Sequence, residues 1–447
     1  RINNMETTRI STKEIQKTQE LIDFIKKSPS CYHVIHNIAA ELQAGGYERL
    51  NEAKDWTLRK GGRYFVTRNQ SSLIAFTIPE DAMGGFLICA SHSDSPTFKL
   101  KSNYEMTVDD RYLKLNVEKY GGMICSTWLD RPLSIAGRVV VNREDGIESV
   151  LVNLDQDLCL IPNLAIHMNR QINEGYAYNA QKDMLPLLGE GTAKGKLKEL
   201  LAKEAGVEED AILGYDLFLY LREEGRIWGA EQEFYSSPRI DDLQCAFTSK
   251  EAFLQAKNTG MSKVLAIFDN EEVGSGTKQG AKSTFLADVL ARIQESLSLT
   301  RGECIRQIAS SMMLSADNGH AMHPNHTDKA DPTNAPCLNG GVLIKYNANQ
   351  KYTTDGIAEA LFKRILQKAE IPYQEYTNRS DIAGGSTLGN LSNEKISLNT
   401  VDMGAAQLAM HSAYETGGTK DTVSLMEGIH AFYESRLQME KDGKYCC

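Results

Sequence analysis

Three short apolar runs, each followed directly by polar side chains, constrain the fold of this chain more than any other feature of its sequence. They span residues 86–90, 264–268 and 312–316. The last two are continuously apolar rather than alternating, which is typical of strands buried on both faces. Residues 13–27 and 285–297 instead carry apolar side chains at the spacing of amphipathic helices. Buried strands together with such helices predict an α/β fold.

A change in the pattern of apolar and polar residues along the chain indicates a second domain. With 447 residues, the chain is longer than the size at which a single hydrophobic core usually stops growing. Between residues 99 and 233, apolar side chains alternate with polar ones or form short runs among turn residues. We therefore predict that residues 1–98 and 234–447 form one α/β domain. An inserted, mostly β domain of residues 99–233 interrupts it.

The composition argues against several classes of protein. The net charge is −10 and no stretch combines basic with aromatic side chains, so we expect no nucleic acid partner. No segment approaches the ~20 apolar residues of a membrane span, so we expect no membrane association. The nine cysteines lack the spacing of a zinc site or a disulfide framework, and residues 1–27 lack the apolar stretch of a secretory signal. These features predict a cytoplasmic protein with reduced thiols and a loose N-terminal tail.

Polar side chains that can bind metals follow all three apolar runs. The clusters are residues 91–96, 269–274 and 315–320. In an open α/β sheet, ligands bind in the crevice beyond the carboxyl ends of the strands. Three such endings therefore predict one site, and their repetition is stronger support than any single cluster.

The first cluster contains His92 and, two residues later, Asp94. A carboxylate in that position can bind the far ring nitrogen and orient the imidazole as a metal ligand. A solvated turn, in which Ser, Asp and Pro are common, would have the same composition. Both interpretations are open for this triplet alone.

The second cluster contains the adjacent carboxylates Glu271 and Glu272. Two such groups repel each other unless a cation or a shared proton relieves them. One can bind a metal while the other acts as a general base towards water. The alternative for this pair is a solvated acidic loop.

Histidines mark the third cluster and the C-terminal region. Asp317 ends an apolar run and is followed by His320, His323 and His326, although the chain has only nine histidines. We expect His320 near the substrate and His326 at the surface. His411 follows a short apolar stretch, and a lone histidine of this kind is more often structural.

Together these clusters resemble the aspartyl aminopeptidase and vacuolar aminopeptidase I family of two-metal exopeptidases, with a context slightly closer to a bacterial aminopeptidase I-like branch. The resemblance covers nearly the whole chain. Five matching elements occur in the order of the family: residues 92–96, 239–242, 271–274, 315–325 and 410–412.

The resemblance implies two divalent metal ions and the residues that bind them. The implied metal ligands are His92, Asp241, Glu272, Asp317 and His411. Asp241 would bridge the two ions, with His92 and Asp317 on one and Glu272 and His411 on the other. Nitrogen and oxygen ligands suit zinc, with cobalt or manganese as alternatives.

The resemblance also assigns catalytic and substrate-binding residues. Glu271 would be the general base, and Asp94 would be the second catalytic residue. The implied substrate contacts are His320, Lys345, Tyr352 and His167, the last offered to the active site by a partner subunit. From the residues alone, Lys345 also fits a surface lysine, and His167 a histidine paired within the β domain.

The implied architecture is a mixed-sheet metallo-exopeptidase domain with helices on both faces. Its inserted β domain would serve dimerisation or act as a lid, in a homo-oligomer that forms a tetrahedral dodecamer from dimers. The implied reaction removes an acidic or neutral N-terminal residue from peptides, using water activated at the two metal ions. A carboxypeptidase or deacylase with the same metal ligands, and a catalytically silent structural or binding protein, are the alternatives.

Overall fold

The computed structural model describes residues 9–81 and 84–447. Most of the predicted N-terminal tail lies outside these residues. The helices are α1 (Thr12–Lys27), α2 (Cys31–Ala44), α3 (Ala180–Asp183), α4 (Lys196–Ala205), α5 (Ile240–Gln255), α6 (Phe285–Ser296), α7 (Arg301–Ala309), α8 (Gly356–Lys368), α9 (Leu388–Asn393) and α10 (Asp421–Tyr433).

The strands fall into three main sheets and one hairpin. They are β1 (Glu48–Leu50), β2 (Arg63–Arg68), β3 (Ser72–Thr77), β4 (Phe86–His92), β5 (Thr97–Val108), β6 (Tyr112–Tyr120), β7 (Leu133–Arg143), β8 (Gly146–Asn153), β9 (Leu187–Glu190), β10 (Ile212–Leu221), β11 (Arg226–Trp228), β12 (Phe234–Ser237), β13 (Ser262–Phe268), β14 (Met312–Ala316), β15 (Gly319–His320), β16 (Val342–Tyr346), β17 (Tyr373–Thr377), β18 (Asn399–Gly404), β19 (Ala406–Leu408), β20 (Glu415–Gly418), β21 (Gln438–Lys441) and β22 (Lys444–Cys446).

A nine-stranded mixed sheet forms the centre of the molecule. Its strand order is β1-β2-β3-β13-β4-β14-β18-β16-β17. The three predicted apolar strands, β13, β4 and β14, are adjacent and parallel, and Phe268 is in register with His92. Every residue of these three strands is buried, as their continuous apolar sequences predicted.

Helices cover both faces of this sheet. Along β13, Leu265 and Ile267 pack into one core with Phe253 of α5, whereas Val264 and neighbouring side chains pack on the other face with Phe285 of α6. Phe285 is fully buried, and burying such a side chain stabilises a fold by about 1.5–3 kcal/mol. The structure thus confirms the predicted mixed α/β architecture with helices on both faces.

A six-stranded antiparallel sheet follows β4 in the chain. Its strand order is β8-β7-β10-β5-β6-β9, and it has a separate apolar core that includes Leu115, Val139 and Leu217. A third, five-stranded sheet has the strand order β11-β12-β20-β19-β15. Among the described residues, no helix combines the length and the apolar character needed to cross a membrane.

Candidate metal centre

Three parallel strands of the nine-stranded sheet end at one cluster of polar side chains. His92 is the last residue of β4, and Asp317 follows β14 directly. Glu271 and Glu272 lie in a short 3-10 turn that begins three residues after the last residue of β13. Asn270, at a φ of 62°, makes this turn possible, since Asn tolerates the left-handed region better than most residues. The predicted convergence of the three strand ends is therefore present.

His92 forms the buried side of the cluster, and its side chain is 1 % exposed. Its Nε2 lies 3.4 Å from Asp241 Oδ1 and 3.8 Å from Asp317 Oδ1. Its Nδ1 lies 3.0 Å from the Asp94 carbonyl oxygen and 3.2 Å from Asp94 Oδ1. These contacts fix the ring with Nε2 directed at the two carboxylates, which is how a ligating histidine is oriented.

His411 forms the opposite, more open side, and its side chain is 30 % exposed. Its Nε2 lies 3.3 Å from both Asp241 Oδ2 and Glu272 Oε2. The Nδ1 lies 2.8 Å from the Gly122 carbonyl oxygen, to which it donates when Nε2 is the free ring nitrogen. His411 lies in the loop between β19 and β20, and its φ is 67°.

Asp241 stands between the two histidines. Its Oδ1 faces His92 and its Oδ2 faces His411, so one carboxylate is shared by both sides. Asp241 lies at the start of α5, outside helical conformation, and is joined to Asp242 by a cis peptide bond. Its backbone N–H donates to Glu415 Oε2 at 3.0 Å.

The cluster fits a divalent cation. Buried polar atoms are normally hydrogen-bonded, yet four buried atoms here have no such partner within the described chain. These atoms are His92 Nε2, Asp241 Oδ1, Asp242 Oδ1 and Glu272 Oε1. The ligand atoms of His92, Asp241, Asp242 and Asp317 all lie within 4.8 Å of one another, as do those of Asp241, Glu272 and His411. Nitrogen and carboxylate oxygen donors suit zinc.

The electrostatics of the protein alone also point to a bound cation. Burial raises the pKa of Glu271 well above its usual value and that of Glu272 to about 7. Burial acts to lower the pKa of His411, but contacts with Asp241 and Glu272 raise it to about 11. Several carboxylates crowded in a buried crevice thus need positive charge, which a cation can supply.

Asp94 organises the two glutamates. Its Oδ1 accepts a hydrogen bond from the Glu271 backbone N–H at 3.1 Å, and its Oδ2 accepts one from the Glu272 backbone N–H at 3.2 Å. The hydroxyl of Tyr120 also donates to Oδ2 at 2.7 Å. The same carboxylate therefore contacts His92, Glu271 and Glu272.

Two of the predicted substrate-binding residues lie beside the cluster. Lys345 is 1 % exposed, and its Nζ lies 3.8 Å from Asp317 Oδ2 and 5.0 Å from the ring centre of Tyr352. A surface position for this lysine is therefore wrong. Burial opposes the charge of Lys345, but the Asp317 carboxylate raises its pKa above the usual value, so the side chain is a cation.

The remaining predicted histidines are more exposed. His320 lies in β15, with its ring centre 6.2 Å from that of Tyr376, and His326 is exposed as expected. His167 lies in an exposed loop between β8 and α3, and among the described residues it belongs to none of the groups of possible metal ligands.

Three residues of the cluster were not found from the sequence. Asp242 accepts a hydrogen bond from the His92 backbone N–H at 3.1 Å and lies among the possible ligands. Glu415 and Tyr120 bind the backbone or side chains of the predicted residues. The adjacent Asp241-Asp242 pair was a usable signal for Asp242, as the Glu pair was. Tyr120 and Glu415 are single polar residues, and no motif or spacing in the sequence around them indicates a functional role.

Several aminopeptidases are similar to this chain in sequence. The profile of the family described as "Aminopeptidase I zinc metalloprotease (M18)" matches residues 24–433. A "Probable M18 family aminopeptidase 2" of Clostridium novyi is 44% identical over 428 residues, which cover 94% of this chain and 99% of that relative.

Solved structures agree with the sequence match. The structure described as "Cryo-EM structure of the Ape4 and Nbr1 complex" superposes with a TM-score of 0.90 at 35% identity, covering 96% of this chain and 88% of that one. The mApe1 dodecamer of S. cerevisiae gives a TM-score of 0.83 at 28% identity, covering 95% and 97%. These likenesses favour an aminopeptidase over a carboxypeptidase, a deacylase or a silent binding protein. The chain belongs to peptidase family M18, the aminopeptidase I zinc metalloproteases, and is a metalloaminopeptidase.

Proposed function

We propose that this aminopeptidase removes an acidic or neutral N-terminal residue from peptides, with two divalent ions and with Glu271 as the general base. The observation that carries the two-ion proposal is the position of Asp241, whose two oxygens face His92 and His411 separately. One ion would be held by His92 and Asp317 and the other by Glu272 and His411, with Asp241 shared. Zinc is the expected metal, with cobalt or manganese as alternatives.

In this proposal the residues divide the chemistry among them. When bound, a divalent ion acts as a Lewis acid that acidifies water and polarises a carbonyl oxygen. Glu271 accepts the proton of the attacking water and returns it to the leaving amine. Asp94 keeps Glu271 in place through its backbone N–H. The cationic Lys345, with His320, supplies donors for the oxygen on which negative charge develops.

The base assignment is tested with Glu271→Gln. We expect turnover to fall by roughly 10²- to 10⁴-fold, since general acid–base catalysis contributes on that order, while the metal content measured by elemental analysis stays that of the native protein. Glu394→Gln, at an exposed position, is the matched control. Loss of metal from Glu271→Gln, or turnover close to that of the control, contradicts the assignment.

The first-residue preference is tested with amide substrates of Asp, Glu, Leu and Met. Each is compared with its N-acetylated form, which an aminopeptidase should leave intact because the free amine is needed for binding. A preference for a basic first residue would contradict the proposal.

We also propose a homo-oligomer, a tetrahedral dodecamer built from dimers, in which residues 99–233 form the dimerisation domain. The dodecameric S. cerevisiae structure supports this proposal. So do the apolar side chains around His167, since Leu164, Ile166 and Met168 are 54%, 48% and 75% exposed and an interface would cover them. A cytoplasmic location is supported by the nine cysteines, all of which are free thiols among the described residues.

The role of His167 across subunits is tested by mixing two inactive variants. If His167 acts in a partner's active site, mixed assemblies of His167→Ala and Glu271→Gln subunits contain some complete sites and regain part of the activity. Recovery should appear only after dissociation and reassembly, followed by light scattering. Absence of recovery in mixed assemblies of the expected mass would contradict the proposal.

A further inference from the structure

The six-stranded sheet reaches the metal centre through the end of one strand. Strand β6 ends at Tyr120, and the chain continues through Gly121 and Gly122 along the cluster. We refer to residues 120–122 as the β6 terminus. Tyr120 is in register with Thr97 of β5, and its ring packs edge-on against Phe218 of β10, with 5.6 Å between the ring centres. The backbone and ring of Tyr120 are therefore fixed by the six-stranded sheet.

The Tyr120 hydroxyl connects two elements of the metal centre. It donates to Asp94 Oδ2 at 2.7 Å and accepts from Asn270 Nδ2 at 2.8 Å. Asp94 in turn receives the backbone N–H groups of Glu271 and Glu272. Asn270 starts the turn that carries both glutamates, and its Oδ1 is held by Thr277 and Gln279 at 2.8 and 2.9 Å. One hydroxyl thus links Asp94, two residues after β4, with the turn after β13.

Gly122 makes a second connection, to the open side of the centre. Its carbonyl oxygen lies 2.8 Å from His411 Nδ1, and two residues later the Ile124 N–H donates to the His411 carbonyl at 3.0 Å. A carbonyl that takes the Nδ1 proton leaves Nε2 as the free nitrogen, and this Nε2 faces Asp241 and Glu272. The β6 terminus therefore selects both the tautomer and the position of His411.

We propose that the β6 terminus is a positioning segment of the metal centre, with Tyr120 acting through Asp94 on the glutamate turn and Gly122 acting on His411. The six-stranded sheet then contributes directly to the active site in addition to any role in assembly. The proposal rests on the functions proposed above for Glu271, Glu272 and His411. Loss of an outer contact to a metal ligand typically costs roughly 10- to 100-fold in metal affinity or activity.

Tyr120→Phe tests the hydroxyl without removing the ring that packs on Phe218. The matched control is Tyr215→Phe, because Tyr215 lies in the same sheet and its hydroxyl also makes hydrogen bonds, to the carbonyls of Lys101 and Ser102 at 2.7 Å each. We expect kcat of Tyr120→Phe to fall roughly 10- to 100-fold, with KM changed less than about threefold. Tyr215→Phe should match the native protein in both constants.

A second readout does not depend on turnover. In the cobalt-substituted protein, the visible absorption spectrum reports the ligand arrangement, and we expect it to change in Tyr120→Phe but not in Tyr215→Phe. Because this spectrum can be recorded on Glu271→Gln as well, failure of the general-base assignment remains distinguishable from failure of the positioning proposal. If Tyr120→Phe matches Tyr215→Phe in both kcat and the cobalt spectrum, the proposal is overturned.

The route through Asp94 is tested with a double-mutant cycle. If the hydroxyl acts through Asp94, adding Tyr120→Phe to Asp94→Asn should lower kcat by less than about threefold further, since interacting residues are non-additive. Independent effects, in which the two fold-losses multiply, would overturn the assignment of Tyr120 as a residue that positions Asp94.

Discussion

His92 and His411 face the same carboxylate of Asp241 but belong to differently built parts of the molecule. His92 ends a central strand of the nine-stranded sheet and is almost wholly buried. His411 lies in a loop with two left-handed residues, Ala409 and His411, and is partly exposed. We call these the His92 side and the His411 side of the centre.

The difference lies in what keeps each ligand in place. On the His92 side, the sheet itself fixes the position of the ligand, because β4 is hydrogen-bonded to β13 and β14 on its two edges. On the His411 side, the position depends on contacts from other elements, namely Glu415 to the His411 N–H at 2.8 Å and Gly122 to its ring. The His92 side is thus built by secondary structure, and the His411 side by tertiary contacts.

The largest expected effect compares His92→Ala with His411→Ala. Both remove a proposed ligand, so each should weaken metal binding by more than about 100-fold, beyond the range typical of outer contacts. The metal-free proteins should differ. His92→Ala removes one partner from each of the buried carboxylates of Asp94 and Asp241, which costs roughly 1–3 kcal/mol, whereas removal of the partly exposed His411 side chain should cost less. Chelator competition and thermal unfolding of the metal-free variants measure the two effects. Equal destabilisation by both variants would break the comparison.

An intermediate effect is expected from the buried carboxylates that bind the ligand backbones. Both oxygens of Glu415 accept backbone N–H groups, from His411 and from Asp241, so Glu415→Gln must lose one bond. In Asp242 only Oδ2 accepts the His92 N–H, and Oδ1 has no hydrogen-bond partner, so Asp242→Asn can retain that bond. We expect metal affinity to fall roughly 10- to 100-fold in Glu415→Gln and clearly less in Asp242→Asn. The reverse order in a chelator competition would contradict this explanation.

The smallest effect concerns the glycine between the two contacts of the β6 terminus. Gly121 has a φ of +75°, and a Cβ there would lie 3.2 Å from Glu272 Cβ. Gly206, at a φ of +66° with open space around it, is the matched control. Both alanine variants should lose about 1–2 kcal/mol through left-handed strain, seen as similar decreases in the thermal midpoint. Only Gly121→Ala should also weaken metal binding. Equal metal affinity in the two variants would contradict the idea that the close approach of Gly121 to Glu272 matters for the metal centre.

The same contrast explains how much of the centre the sequence predicts. His92 ends a strand, and Glu271, Glu272 and Asp317 directly or nearly follow one. For these four residues the local sequence pattern therefore identifies both the strand and its functional end. His411 follows only a short apolar stretch and has the weakest local signal, and Asp241 was identified only through the resemblance to a family. Lys345 shows the limit most clearly, because its burial beside Asp317 depends on the pairing of β16 with β18, which no local pattern encodes.

Outer contacts are less predictable still. Tyr120 and Glu415 interact with residues that are distant in the chain, and a single Tyr or Glu in a strand has no feature that distinguishes it from its neighbours. The α/β class and the helices on both faces were predictable, because the spacing of apolar residues within each segment indicates whether it forms a helix or a buried strand. The pairing order of the sheets depends on contacts between segments and had to come from the structure.

The interruption of the nine-stranded sheet has a consequence for how the protein forms. Strands β4 and β13 are neighbours, and Ser93 donates hydrogen bonds to the carbonyl of Phe268, 175 positions further along the chain. Closing so long a loop costs conformational entropy before any pairing is gained, and contacts at such separations slow folding. The His92 side cannot be completed until the chain has been synthesised beyond Asp317, and the His411 side not until it has passed Glu415. During synthesis, therefore, metal capture must be one of the last events, and a nascent chain that stops short of Glu415 should emerge without a complete metal centre.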